Sequence, residues 1–155
     1  TGVKDITYIS VYLDKGIWKI RSDAYLNGMR KAGLDQYIHI ERTENSVDGG
    51  YNCMHGLLQR GHLPEAVLCG NDYMAVGVIQ ALNQAGVKVP DTIKVIGQDG
   101  VSVGSMVYPK LTTVDLHGEK CGAEAMRLLK KAMENTNAKA ETVVISQECV
   151  MRSTI

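Results

Sequence analysis

Short apolar runs alternate along this chain with longer stretches in which apolar residues recur at helical spacing, and that alternation predicts its secondary structure. Residues 6–13, rich in β-branched and aromatic side chains, predict an opening strand. After a loop that begins at Asp14, Ala24, Tyr25 and Met29 predict a helix from Arg21 that Gly33 stops. Residues 37–40 predict a second strand, followed over 41–50 by a polar loop long enough to carry function. Tyr51, Met54, Leu57 and Leu58 define a second helix ending at Gly61, and Pro64 blocks its continuation. Residues 66–69 read as a fully buried strand, and a third helix runs from Asp72 to about Ala85, before Gly86. A fourth strand over 93–97 ends in Gln98, Asp99 and Gly100. Residues 111–114 predict a short extended piece, 122–133 one more helix, and 143–145 with 149–151 two final strands, or one strand with an irregular middle. Strands alternating with helices argue for right-handed βαβ units. The expected fold is an α/β three-layer sandwich with a parallel sheet covered on both faces.

The polar positions change this picture at one corner. Asp72 stands where a helix N-cap belongs, and its neighbour Asn71 is expected to point into a small-molecule site. Arg21, Asn71 and Asp99 each follow a predicted strand or open the helix after it, and an open parallel sheet gathers such positions in the crevice at the strands' carboxyl ends. A guanidinium fork, a carboxamide and a carboxylate suit a hydroxyl-rich or heterocyclic ligand. Two of them also have a purely structural alternative: Asn71 as a turn former and Arg21 as a solvated first-turn residue.

Composition removes several other functions. At 155 residues one domain is the default. Lys plus Arg balances Asp plus Glu at 17 each, without the basic patch that nucleic-acid binding requires. No apolar run approaches the roughly 20 residues needed to cross a bilayer, and no leader pattern opens the chain, so no membrane partner is expected. Cys53, Cys69, Cys121 and Cys149 are widely spaced within apolar patterns, which suits free thiols in a cytoplasmic protein. The four histidines lack ligand spacing with one another or with the cysteines, so neither metal nor cofactor is expected. G-x-S-x-G, Walker, H-E-x-x-H and G-x-G-x-x-G patterns are missing, and the chemistry reads as recognition rather than catalysis.

The stretches 64–77, 86–90, 95–99, 109–114 and 152–154, in this order and spacing, together resemble the lactose/galactose-repressor family of bacterial transcription regulators. The resemblance runs from Ile6 to Thr154. It implies a periplasmic-binding-protein-like (type I) fold of two subdomains with a small-molecule effector in the cleft, and a helix-turn-helix headpiece that binds operator DNA as a dimer. On this reading the chain is a fragment without headpiece or first subdomain. Residues 1–114 would form the second subdomain, and 115–155 a crossover helix and terminal strands that normally pack partly on the first. Among site residues, Arg21 matches the effector-contacting arginine, Asn71 a polar position facing the effector, and Asp99 the aspartate that binds ligand hydroxyls or ring nitrogens. Asn45 stands where many members place a stacking aromatic ring, and Gln98 where Phe or Tyr usually precedes the aspartate. Both imply a more polar pocket, with Trp18 or Tyr12 as substitute apolar surfaces. The helix over 122–133, deprived of its partner, is expected to drive self-association. A solute receptor of a sugar transporter and a flavodoxin-like enzyme are the competing functions.

Overall fold

The computed structural model describes residues 2–11, 14–135 and 139–155. β1 (Ile6–Ser10), β2 (Ile38–Arg42), β3 (Ala66–Cys69), β4 (Lys94–Asp99), β5 (Thr112–Asp115) and β6 (Glu148–Val150) form one sheet in the order β2-β1-β3-β4-β5-β6. The first five strands run parallel, and β6 lies antiparallel to β5 at the edge. The helices are α1 (Gly16–Lys31), α2 (Val47–Gln59), α3 (Asp72–Gln84), the short α4 (Val103–Met106) and α5 (Gly118–Glu134).

Period-two alternation divides each strand between two layers. Ile9, Val67, Val95 and Leu111 meet Met54 and Leu57 of α2 and Met74, Val78, Ile79 and Leu82 of α3, all of them buried. Burying each such side chain contributes about 1.5–3 kcal/mol, which makes this face the main core. On the opposite face Tyr8 stacks on Tyr25 of α1 with ring centroids 5.2 Å apart, and Met29 closes the cluster. That second layer is incomplete. Beside α1 the sheet keeps an open groove of about 720 Å³ lined by Ile20, Ala24, Leu68, Ile96, Val114 and Leu116.

The alternation of strands and helices is as expected, and α3 stops before Gly86 as expected, but several boundaries differ. Helix α1 begins at Gly16, five residues before Arg21, so Trp18 is helical; Lys15 offers no side-chain cap, and Ile17 and Ile20 line the open groove, each more than half exposed. The loop expected over 41–50 shrinks to 43–46, because β2 continues to Arg42 and the Ser46 hydroxyl accepts the Gly49 N–H at 2.9 Å to cap α2. Gly49 and Gly50 thus lie in the buried first turn of α2. Residues 143–145 form no strand, so only the second of the two expected terminal strands exists, as β6.

The terminal residues close the sheet's lower edge. The Thr154 hydroxyl donates to the Val95 carbonyl at 2.6 Å and accepts the Thr112 N–H at 2.9 Å, while Arg152 Nη1 reaches the Leu111 carbonyl at 2.8 Å. Helix α5 behaves differently: none of its residues is buried, and Met126, Leu129 and Met133 stand exposed.

Candidate functional site

The carboxyl ends of β3 and β4, with the first turns of α1 and α3, build a polar corner. Starting α1 at Gly16 brings Arg21 one turn into the helix, where its Nη2 donates to Asp99 Oδ1 at 2.7 Å and its Nη1 to the Gly70 carbonyl at 2.5 Å. The guanidinium also lies over the Trp18 ring, 5.6 Å from its centroid. Trp18 in turn covers Gly70: a Cβ there would stand 2.9 Å from Trp18 Cζ3 and 3.1 Å from Met74 Cε, so only glycine admits the indole. Asp99 ends β4 with φ of 108°, a backbone conformation that costs non-glycine residues energy and that clusters at binding sites.

The neighbouring residues Asn71 and Asp72 do not keep the roles expected of them. Asn71, not Asp72, caps α3: its Oδ1 accepts the Met74 N–H at 3.0 Å, and its Nδ2 donates to Asn45 Oδ1. Asn71 is 5% exposed, whereas Asn45 is exposed, so the outward-facing amide of the pair is Asn45. Asp72 is buried one residue further on. Its Oδ1 accepts the Thr113 hydroxyl at 2.5 Å and its Oδ2 the Val101 N–H at 2.8 Å, tying α3 to β5 and to the turn after β4. Burial pushes the Asp72 carboxyl above the usual range; the Thr113 and Val101 bonds oppose that rise, and the charge of Asp99 adds to it. Gly97 makes the seat, since a Cβ there would meet Asp72 Oδ1 at 2.2 Å.

Of the six residues expected at the site, Arg21, Asp99 and Trp18 meet directly around Gly70, and Asn71 and Asn45 form a pair beside them. Gln98 pairs with Val114 in register and, together with Arg21, lines the groove on the α1 face. Tyr12 lies outside the described residues. Two features escaped sequence reasoning: the Gly70 carbonyl as an Arg21 partner, for which a backbone atom gives no signal, and the lock from Asp72 to Thr113, which spans 41 positions.

This geometry now has relatives. Residues 1–155 match the family described as periplasmic binding protein-like domain. The chain belongs to that family. This periplasmic binding protein-like domain is 34% identical over 155 residues to the HTH-type transcriptional repressor PurR of Mannheimia succiniciproducens, covering 99% of the chain and 46% of that relative. It is 39% identical over 125 residues to the ribose operon repressor of Escherichia coli K12, covering 80% of the chain and 38% of that relative. The Lac repressor dimer bound to operator and the anti-inducer ONPF matches with a TM-score of 0.84 at 24% identity, over 99% of this chain and 53% of that one. The resemblance to the lactose/galactose-repressor family is borne out, and the domain spans about half the length of the curated relatives it matches. Among the described residues no helix is long and apolar enough to cross a membrane.

Proposed function

We propose that this chain is the effector-sensing part of a bacterial transcription repressor, and that it binds a small molecule, a sugar or related metabolite, against Arg21, Asp99, Asn45 and Trp18. The observation that carries the reading is the Arg21–Asp99–Gly70 constellation at the strands' carboxyl ends, two directed charged groups beside an indole face. A ligand hydroxyl or ring nitrogen placed between Arg21 and Asp99 exchanges their mutual bond for one bond to each, so recognition costs little reorganisation. Trp18 supplies an apolar face to a sugar ring or heterocycle. Asn71 holds the Asn45 amide in place. Recognition, not bond chemistry, is what these groups offer, and the reading includes no catalysed reaction and a cytoplasmic site of action.

The named relatives are repressors, which favours this reading over a transporter's solute receptor. By analogy with the operator-bound Lac repressor dimer, the effector shifts the orientation of two subdomains and so changes the operator affinity of headpieces outside these residues. The exposed apolar face of α5 would be covered in such an assembly.

A thermal-shift panel of D-ribose, D-galactose, lactose, hypoxanthine and their phosphorylated forms at millimolar concentration tests the site. At least one compound should raise the melting temperature of the chain, and Asp99→Ala should abolish that rise. A rise that persists undiminished in Asp99→Ala removes Asp99 from the site.

A further inference from the structure

At the edge next to this corner, three carboxylates stand in a row across adjacent strands. Asp99 of β4 pairs in register with Asp115 of β5, and Asp115 with Glu148 of β6. Neighbouring strands are about 4.8 Å apart, and like charges directly opposite one another destabilise a sheet. Asp99 is neutralised by Arg21. For Asp115 and Glu148, the one basic side chain within ion-pair distance among the described residues is His117.

His117 is placed for more than packing. It adopts a left-handed backbone conformation, φ 51° and ψ 52°, and its N–H donates to Asp115 Oδ1 at 2.7 Å. That turn brings the ring between the two carboxylates, with Nδ1 3.7 Å from Asp115 Oδ2 and Nε2 3.9 Å from Glu148 Oε1. Both separations are too long for hydrogen bonds. They involve opposite ring nitrogens, so an ion held by the ring takes one of them, and the carboxylate on the far side has to turn toward that nitrogen. One donor atom from each of the three residues already lies within 4.8 Å of the others. The His117 side chain is 14% exposed, whereas that of Glu148 is 63% exposed, so Glu148 is the ligand with open space around it in which to turn toward the ring nitrogen that holds the ion.

We propose that Asp115, His117 and Glu148 bind a divalent transition-metal ion of the zinc class at the edge of the sheet. One imidazole nitrogen with two carboxylate oxygens is a three-ligand set that leaves a position for water, which suits Zn²⁺. Calcium and magnesium are disfavoured because they require six or more oxygen donors or near-ideal octahedral geometry. The ion offsets the repulsion between Asp115 and Glu148 and fastens the three-residue β6 to β5.

The test is calorimetric titration of the chain with Zn²⁺ and, separately, Mg²⁺ in a non-chelating buffer, repeated with His117→Asn, Glu148→Gln and His62→Asn. Asparagine tolerates the left-handed conformation, so His117→Asn removes the ligand and keeps the turn. One Zn²⁺ should bind per chain; His117→Asn and Glu148→Gln should each weaken it by about tenfold or more, His62→Asn should leave it unchanged, and Mg²⁺ should give no saturable binding. Co²⁺ in place of Zn²⁺ should give the visible absorption of a tetrahedral ion, lost in His117→Asn. Unchanged Zn²⁺ affinity in His117→Asn, its loss in His62→Asn, or no saturable Zn²⁺ binding overturns the proposal.

Discussion

Asp72 carries a cost that its neighbours offset. A fully buried carboxylate is tolerated because the Thr113 hydroxyl and the Val101 N–H both donate to it. Removing it leaves those two donors without a partner, so Asp72→Ala should lower unfolding stability by about 2–4 kcal/mol, read from urea denaturation; a loss below about 0.5 kcal/mol would deny the lock. Because the folded-state pKa of Asp72 is raised, the native chain binds the extra proton between the unfolded and folded pKa values, and stability from this group falls as pH rises through that window. The stability of the unsubstituted chain relative to Asp72→Asn should therefore decline from pH 4 upward, and a rise over that range would contradict the assignment. The sequence marked Asn71 and Asp72 as the important pair but gave the cap to Asp72 instead of Asn71, because both residue types cap helices equally well and only the fold shows that Asp72 is buried against Thr113.

Helices α2 and α3 meet backbone to backbone through their glycines. A Cβ on Gly77 would lie 1.9 Å from the Val47 carbonyl oxygen, and one on Gly50 2.1 Å from the Met74 carbonyl oxygen. Alanine at Gly77 gains about 1 kcal/mol of helix propensity yet forces the helices apart. Gly77→Ala should therefore be destabilising by about 2 kcal/mol or more in a chemical melt, and stabilisation by about 1 kcal/mol would show that the contact is slack. The same glycines explain where element reading failed. Gly49 and Gly50 look like loop residues by propensity, and their burial in α2 follows from a tertiary contact that no local pattern records. The first turn of α1 was hidden for a different reason: Lys15 gives no side-chain cap, and Ile17 and Ile20, exposed at 52% and 65%, border the open groove instead of a packed core. Strand β3 was legible to the residue, since a continuous apolar run between Pro64 and Gly70 has few alternatives.

For the molecule as a whole, the parallel order β2-β1-β3-β4-β5 turns distant sequence positions into one corner. Arg21 and Asp99 are 78 positions apart and 2.7 Å apart in space, a meeting that the strand-end rule anticipated from sequence. Side chains alternate along β4, which turns Gln98 with Ile96 toward the groove beside α1, a groove that Arg21 also lines. The proposed effector sits between Arg21 and Asp99. The most direct test is nuclear magnetic resonance mapping of the chain with the compound that gives the largest thermal shift in the panel. The expected perturbations centre on the Trp18 indole N–H, the Asn45 side-chain amide and the backbone of Gly70 and Asp99, with little change at Leu68 and Ile96. Perturbations concentrated at Leu68 and Ile96 in the groove, with the Trp18, Asn45 and Asp99 signals unmoved, would contradict it.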